Sequence, residues 1–162
     1  MVIPKEIRRT QRIHSGDALE IFTDGKGEVV FKKYSPLAEL GEPAAAYADV
    51  LARRLGCGVA VCDREKIVAA AGAGRSELLG EPLPPELDAL LARRKLYTAP
   101  EEPLHRVALG SRWLLCAAPV LVHGDIEGGV LLPGMRRDAV PDPETIRAAA
   151  TAAEFLARWM GE

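Results

Sequence analysis

Four cations near the N-terminus, Lys5, Arg8, Arg9 and Arg12, stand at offsets of zero, three, four and seven residues. On a helix that spacing stacks them along one stripe. Stacked like charges repel, and a polyanion would offset the repulsion: phosphates along a DNA backbone, with Arg also able to make paired contacts to guanine edges. A solvated helix face accounts for the same pattern, and only one acid, Glu6, falls within the segment.

Other reactive side chains are sparse. Cys57, Cys62 and Cys116 are odd in number and form no C-x-x-C, which disfavours a disulfide scaffold or a zinc finger and fits a reducing cytoplasm. Gly58 to Asp63 reads as a strand; five steps of about 3.3 Å put the Cys57 and Cys62 Cα atoms roughly 16 Å apart, beyond the ~7 Å reach of a disulfide. All three thiols are expected to pack in a core. His105 and His123 lie in or beside predicted strands without the partners a metal needs, so a surface or structural role is expected and no metal. Gly72-Ala73-Gly74 has no following G-K-[ST] and reads as a flexible loop rather than a phosphate loop.

The elements that would carry these groups follow from periodicity. Pro4 allows a helix to begin, running from Lys5 to about Gln11. After a Ser15-Gly16-Asp17 turn, Leu19 to Thr23 and Glu28 to Lys33 read as a hairpin joined by Asp24-Gly25-Lys26-Gly27. A helix and one hairpin bury too little to fold alone, so this module must pair with something. Ser35-Pro36 then opens a helical stretch whose Leu37, Leu40, Ala44, Tyr47 and Leu51 form a helix-on-helix seam; Pro43 interrupts it, so the helix either kinks there or begins at Glu42, and it ends at Gly56. Strands are expected at Val59 to Cys62, Ile67 to Ala71, Leu104 to Leu109, Trp113 to Val122 and Ile126 to Leu132. Helices are expected at Pro84 to Arg94 and, capped by Asp142-Pro143-Glu144, out to Met160. The order predicts an α+β fold, an antiparallel sheet covered by helices.

Composition agrees with a soluble protein: 162 residues, 48% hydrophobic and 27% charged. The longest uncharged stretch, the twelve residues Trp113 to Gly124, is shorter than the roughly 20 that span a bilayer, and the first residues show no apolar signal core. The expected location is cytoplasmic, with no membrane partner. The net charge of -2 hides a division, because residues 1 to 34 hold seven bases against five acids, or +2, leaving -4 for residues 35 to 162.

Several stretches carry a resemblance. VIPKEIRRT, Ile13, Gly16-Asp17, LEIF at Leu19 to Phe22 and VVFKKYSPLAELG from Val29 to Gly41 resemble the AbrB-type swapped-hairpin DNA-binding domain. Together with Tyr47-Ala48-Asp49, VCDRE at Val61 to Glu65 and AAEFLARWM near the C-terminus, the chain is similar to the stage V sporulation protein T family. Those transcriptional regulators follow the hairpin domain with a GAF domain. Ala118-Pro119-Val120 and the Gly-rich run Gly124 to Leu131 resemble the paired strands of a GAF sheet.

The resemblance implies a partial swapped-hairpin domain over 1–34, a linker and dimerisation helix over 35–56, and a GAF sensor over 57–162 ending in a second interface helix. It implies a homodimer or homotetramer of interlocked hairpins, DNA as partner, and an unidentified small molecule in the GAF pocket. The family's adjacent arginine pair falls on Arg8 and Arg9; Lys5 and Arg12 join them through helical geometry alone. The family's domain begins earlier, with a strand and an Arg-bearing loop ending in Gly-Arg-Val, and Met1 stands where that Val would. A misassigned start codon, an engineered start or a real truncation would each explain this. The expected explanation is an internal GTG read as a start, which the upstream DNA decides.

No cofactor and no catalytic residue is expected. The Asn-Lys and Phe…Asp-Glu pattern of cyclic-nucleotide-binding GAF domains is not evident. Alternatives to a DNA-binding regulator are a stand-alone GAF sensor or dimerisation module and, more remotely, a GAF-type free methionine sulfoxide reductase using the three cysteines.

Overall fold

The computed structural model describes residues 2–33, 37 and 41–161, and the chain divides into two compact units, Met1–Ser35 and Pro36–Glu162. Ser35, Pro36 and Leu40, expected to open and line the first long helix, lie outside the described residues.

In the first unit helix α1 spans Lys5–Thr10, entered through Pro4, whose carbonyl accepts the Arg8 N–H at 3.0 Å. Strands β1 (Leu19–Thr23) and β2 (Val29–Lys33) pair antiparallel, with Ile21 opposite Phe31 and Glu20 opposite Lys32. The connection closes on Asp24, whose Oδ1 accepts the N–H groups of Lys26 at 2.8 Å and Glu28 at 3.0 Å; Gly25 and Gly27 supply the positive φ it requires. None of the described residues in this unit is buried.

The second unit is built on a six-stranded sheet whose pairings are all antiparallel. Its strands are β3 (Val59–Cys62), β4 (Ile67–Ala71), β5 (Tyr97–Thr98), β6 (Ala108–Leu109), β7 (Arg112–Val122) and β8 (Asp125–Gly134). They run in the order β4-β3-β8-β7-β5, and β6 also pairs with β7. The helices are α2 (Gly41–Leu55), α3 (Arg75–Leu78), α4 (Pro85–Ala92) and α5 (Pro143–Gly161).

Alternation along the strands splits the core in two. Val59, Val61, Cys116, Ala118 and Val120 face α2 and α5, which approach through the alanines Ala44, Ala48, Ala52, Ala149, Ala152 and Ala153. Ala60, Cys62, Ala117 and Leu131 face the other way, against Leu78, Leu83, Leu87, Leu91 and Leu109. Burying each such leucine contributes about 2 kcal/mol.

Two expectations are corrected, and one pair of alternatives is decided. The seam on α2 holds at Ala44 but packs on the sheet: its buried positions continue through Ala48 and Ala52, and Tyr47 and Leu51 flank them, only partly buried. Tyr47 does stack on Phe155 of α5, with ring centroids 5.0 Å apart. Of the two alternatives at Pro43, a kink or a start at Glu42, the second holds within one residue: α2 starts at Gly41, and Pro43 falls in its first turn, where its missing N–H forfeits no helical bond. Over Leu104 to Leu109 a 3₁₀ turn, Pro103–His105, replaces the first half of the expected strand, leaving only β6. The Glu102 carbonyl accepts the His105 N–H at 3.2 Å, which closes that turn.

Candidate nucleic-acid interface and sensor face

Helix α1 presents Lys5, Arg8 and Arg9 on one exposed face, since residues three and four apart are neighbours on a helix. Arg12 leaves that stripe. The helix stops at Thr10 because the Arg12 N–H turns back to the Arg9 carbonyl (3.4 Å) and the Ile13 N–H to the Arg8 carbonyl (2.8 Å). This is the double bond pattern of a Schellman terminus, with Arg12 at the left-handed position (φ 52) where Gly is usual. Lys33 Nζ then donates to the Arg12 carbonyl at 2.8 Å, pinning the helix end to β2. Arg12 is half-buried, and the four-cation stripe reduces to three.

The hairpin below these cations is apolar on both sides. Ile21, Phe22, Val29, Val30 and Phe31 are all exposed, Ile21 at 64%. Two strands with neither face covered are marginal in water.

On the second unit, Asp63 organises the β3–β4 hairpin. Its Oδ1 accepts the Glu65 and Lys66 N–H groups at 2.7 and 2.8 Å, and the residue is buried. The segment after α3 covers the β4 edge: the Gly80 N–H bonds the Ile67 carbonyl and the Ile67 N–H bonds the Glu81 carbonyl, both at 2.9 Å. An unpaired edge is thereby closed. Neither α3 nor this edge segment stood out in the sequence.

The Gly72-Ala73-Gly74 loop is tightly held rather than flexible. Gly72 has φ 74, and a Cβ there would meet the Cys57 carbonyl at 2.8 Å and Ala52 Cβ at 3.1 Å. Gly74 is as closely approached, by the Arg112 side chain, so both glycines serve close packing.

His105 sits on the 3₁₀ turn, exposed and 2.9 Å from Glu102, while His123 occupies the β7–β8 turn with φ 51. Among the described residues no three His, Cys, Asp or Glu side chains gather as metal ligands would. Cys62 and Cys116 are buried on opposite faces of the sheet and cannot join. Burial pushes both thiols up, Cys116 to about 11, and burial and the Asp142 charge also raise the partly exposed Cys57. Cys62 and Cys116, buried with raised pKa values, are poor nucleophiles, which counts against a reductase that uses all three cysteines. An open groove of about 240 Å³, lined by Leu96, Pro119, Leu121, Ala150 and Ala157, presents one charged group, Glu154. Among the described residues no helix is long and apolar enough to cross a membrane.

An antiparallel sheet with two helices on one face and short helices and loops on the other is the architecture of a GAF domain. The structure of a GAF domain/HD domain protein from Geobacter sulfurreducens shares it, with a TM-score of 0.51 at 17% identity over 76% of this chain and 95% of that one. The structure of PelD from Pseudomonas aeruginosa PAO1 gives a TM-score of 0.52 at 17% identity, over 96% of this chain and 46% of that one. The family model for the stage V sporulation protein T C-terminal, transcription factor, matches residues 39–161. Stage V sporulation protein T of Bacillus subtilis (strain 168) is 37% identical, covering 99% of this chain and 90% of that protein. The chain belongs to the stage V sporulation protein T family of transcription factors, and its second unit has the GAF fold.

Proposed function

We propose that two copies of the chain interlock through their N-terminal hairpins and bind DNA with Lys5, Arg8 and Arg9, and that the GAF unit adjusts this binding in response to a small molecule. Residues 1–34 act as the DNA-binding part, 35–56 as linker and dimerisation helix, and 57–162 as sensor. The observation that carries this reading is an N-terminal unit with no buried residue among those described, exposed apolar side chains on its hairpin and three exposed cations on its helix. Exchange of hairpins between copies would cover the first and bring two cationic helices to one duplex.

The GAF unit supplies a second surface between copies. Val50, Phe155 and Trp159 are exposed large apolar residues on α2 and α5, and Phe155 and Trp159 lie with ring centroids 5.7 Å apart. A dimer follows from either surface, and a tetramer from both.

Light scattering and fluorescence anisotropy with duplex DNA test the reading together. A dimer or tetramer whose affinity falls as salt rises is expected. A monomer, or affinity independent of salt, contradicts it.

A further inference from the structure

Leu37 is the first described residue after the hairpin, and its side chain is fully buried in the core of the second unit, among the residues that face α2 and α5. It closes on β8. A Cβ built on Gly128 would lie 2.5 Å from Leu37 Cδ1 and would overlap the Cys62 carbonyl of β3, so the leucine occupies the notch that the missing side chain leaves. The floor of that notch is fixed from both sides. Gly128 pairs with Val120 of β7, and its neighbour Gly129 pairs with Cys62 of β3. On the opposite face Leu91 of α4 presses on Gly129, its Cδ2 2.7 Å from where a Cβ would stand.

A leucine so placed anchors the chain that leads to it, because unseating it would return its whole apolar surface to water. Residues 34–36 alone separate Leu37 from Lys33, the last residue of β2, a reach of at most about 14 Å when fully extended. Lys33 is also the residue that holds the end of α1, through the Arg12 carbonyl at 2.8 Å. With Leu37 unseated the chain is next held at Gly41, where α2 begins, and the reach grows to about 28 Å. An element with fewer arrangements in the free state loses fewer on binding.

We propose that Leu37 is a positioning residue for DNA binding: seated in the Gly128 notch, it fixes the point at which the chain leaves the sensor and so limits the arrangements open to the hairpin and its cationic helix. This rests on the DNA-binding reading above and adds to it a residue outside the cationic helix. Leu37 carries no charge, so its loss changes affinity without changing the number of counterions released.

Fluorescence anisotropy with duplex DNA over a salt series, on the full chain, tests this, with thermal unfolding measured in parallel. Leu37→Ala is expected to weaken DNA binding about tenfold, the equivalent of ordering one further backbone residue on the duplex, with the slope of log affinity against log salt unchanged. Leu83→Ala removes an equally buried leucine from the opposite face of the sheet. It is expected to lower Tm comparably and to leave affinity within about twofold of wild type. Leu37→Met, which refills the notch, is expected to bind as wild type does. Leu37→Val, a smaller loss, takes the place of Leu37→Ala if that variant fails to fold, with an expected weakening of about threefold. Wild-type affinity in the truncated Leu37 variant, a changed salt slope, or an equal loss in Leu83→Ala overturns the positioning role and leaves the DNA-binding reading intact. Wild-type binding that does not weaken as salt rises overturns both.

Discussion

Gly128 and Gly129 are adjacent on β8, yet a methyl group added to each meets different matter. At Gly128 the new Cβ would fall on the Cys62 carbonyl, 2.9 Å from its carbon, and 2.5 Å from Leu37 Cδ1. The Cys62 carbonyl is fixed, because β3 is held between β4 and β8. At Gly129 the nearest atom is Leu91 Cδ2 at 2.7 Å, a methyl at the end of a side chain that can rotate. Overpacking a core costs about 1–3 kcal/mol and more when backbone must move, so Gly128→Ala is expected to lose about 3 kcal/mol or more and Gly129→Ala about 1. For a unit of roughly this size 1 kcal/mol moves Tm by about 4 °C, giving drops of about 12 °C and about 4 °C. Thermal unfolding followed by circular dichroism reads both. If Gly128→Ala melts within about 2 °C of wild type, or if the two variants are equivalent, the close approach of β8 to β3 is not as described.

Three further outcomes follow from named groups. With Lys5, Arg8 and Arg9 on each of two copies making six phosphate contacts, log affinity should fall against log salt with a slope of about -5; Arg8→Ala with Arg9→Ala removes four and leaves about -2. Equal slopes would remove these arginines from the interface. In the native state Ellman's reagent should reach Cys57 slowly and neither Cys62 nor Cys116, with all three reacting after denaturation; two fast thiols would contradict the burial. Asp142 caps α5 by accepting the Thr145 N–H and Oγ1–H, both at 2.8 Å, which holds its carboxyl below the ordinary range. A depressed folded value means the contribution is present at neutral pH and lost as pH falls through it. Asp142→Ala should therefore melt below wild type at pH 7, with the gap narrowing as pH falls below the ordinary carboxylate range, and a constant gap would refute the cap's ionisation.

Much of the fold was legible because local chemistry and local geometry coincide. Asp24-Gly25-Lys26-Gly27 supplies both the side-chain acceptor and the positive φ values that a tight turn needs, and β1 and β2 follow on either side. Asp142 and Pro143 start α5 for equally local reasons. The cationic stripe was misread at Arg12 for a complementary reason. Spacing rules assume that the helix continues, and a helix end is usually marked by Gly at the left-handed position. Here Arg12 occupies that position with no residue type to announce it. On α2 the large apolar residues drew attention, yet a helix lying close on a sheet needs small ones, so the contact is made by Ala44, Ala48 and Ala52.

Arg106 was illegible because one turn decides its surroundings. In a strand from Leu104 to Leu109, Leu104, Arg106 and Ala108 would share one face, and no pattern would single out the cation. The 3₁₀ turn breaks that alternation. Leu104 becomes 82% exposed while Arg106, two residues on, is buried. A displacement of one residue in register changes the face of every side chain that follows, so the composition of the segment carries no information about which of them turns inward. What holds Arg106 inside is a bond to the Ala139 carbonyl, thirty-three residues away in sequence. Long-range tethers of this kind have no periodic signature. A buried cation of this kind emerges only when both ends of the tether are placed.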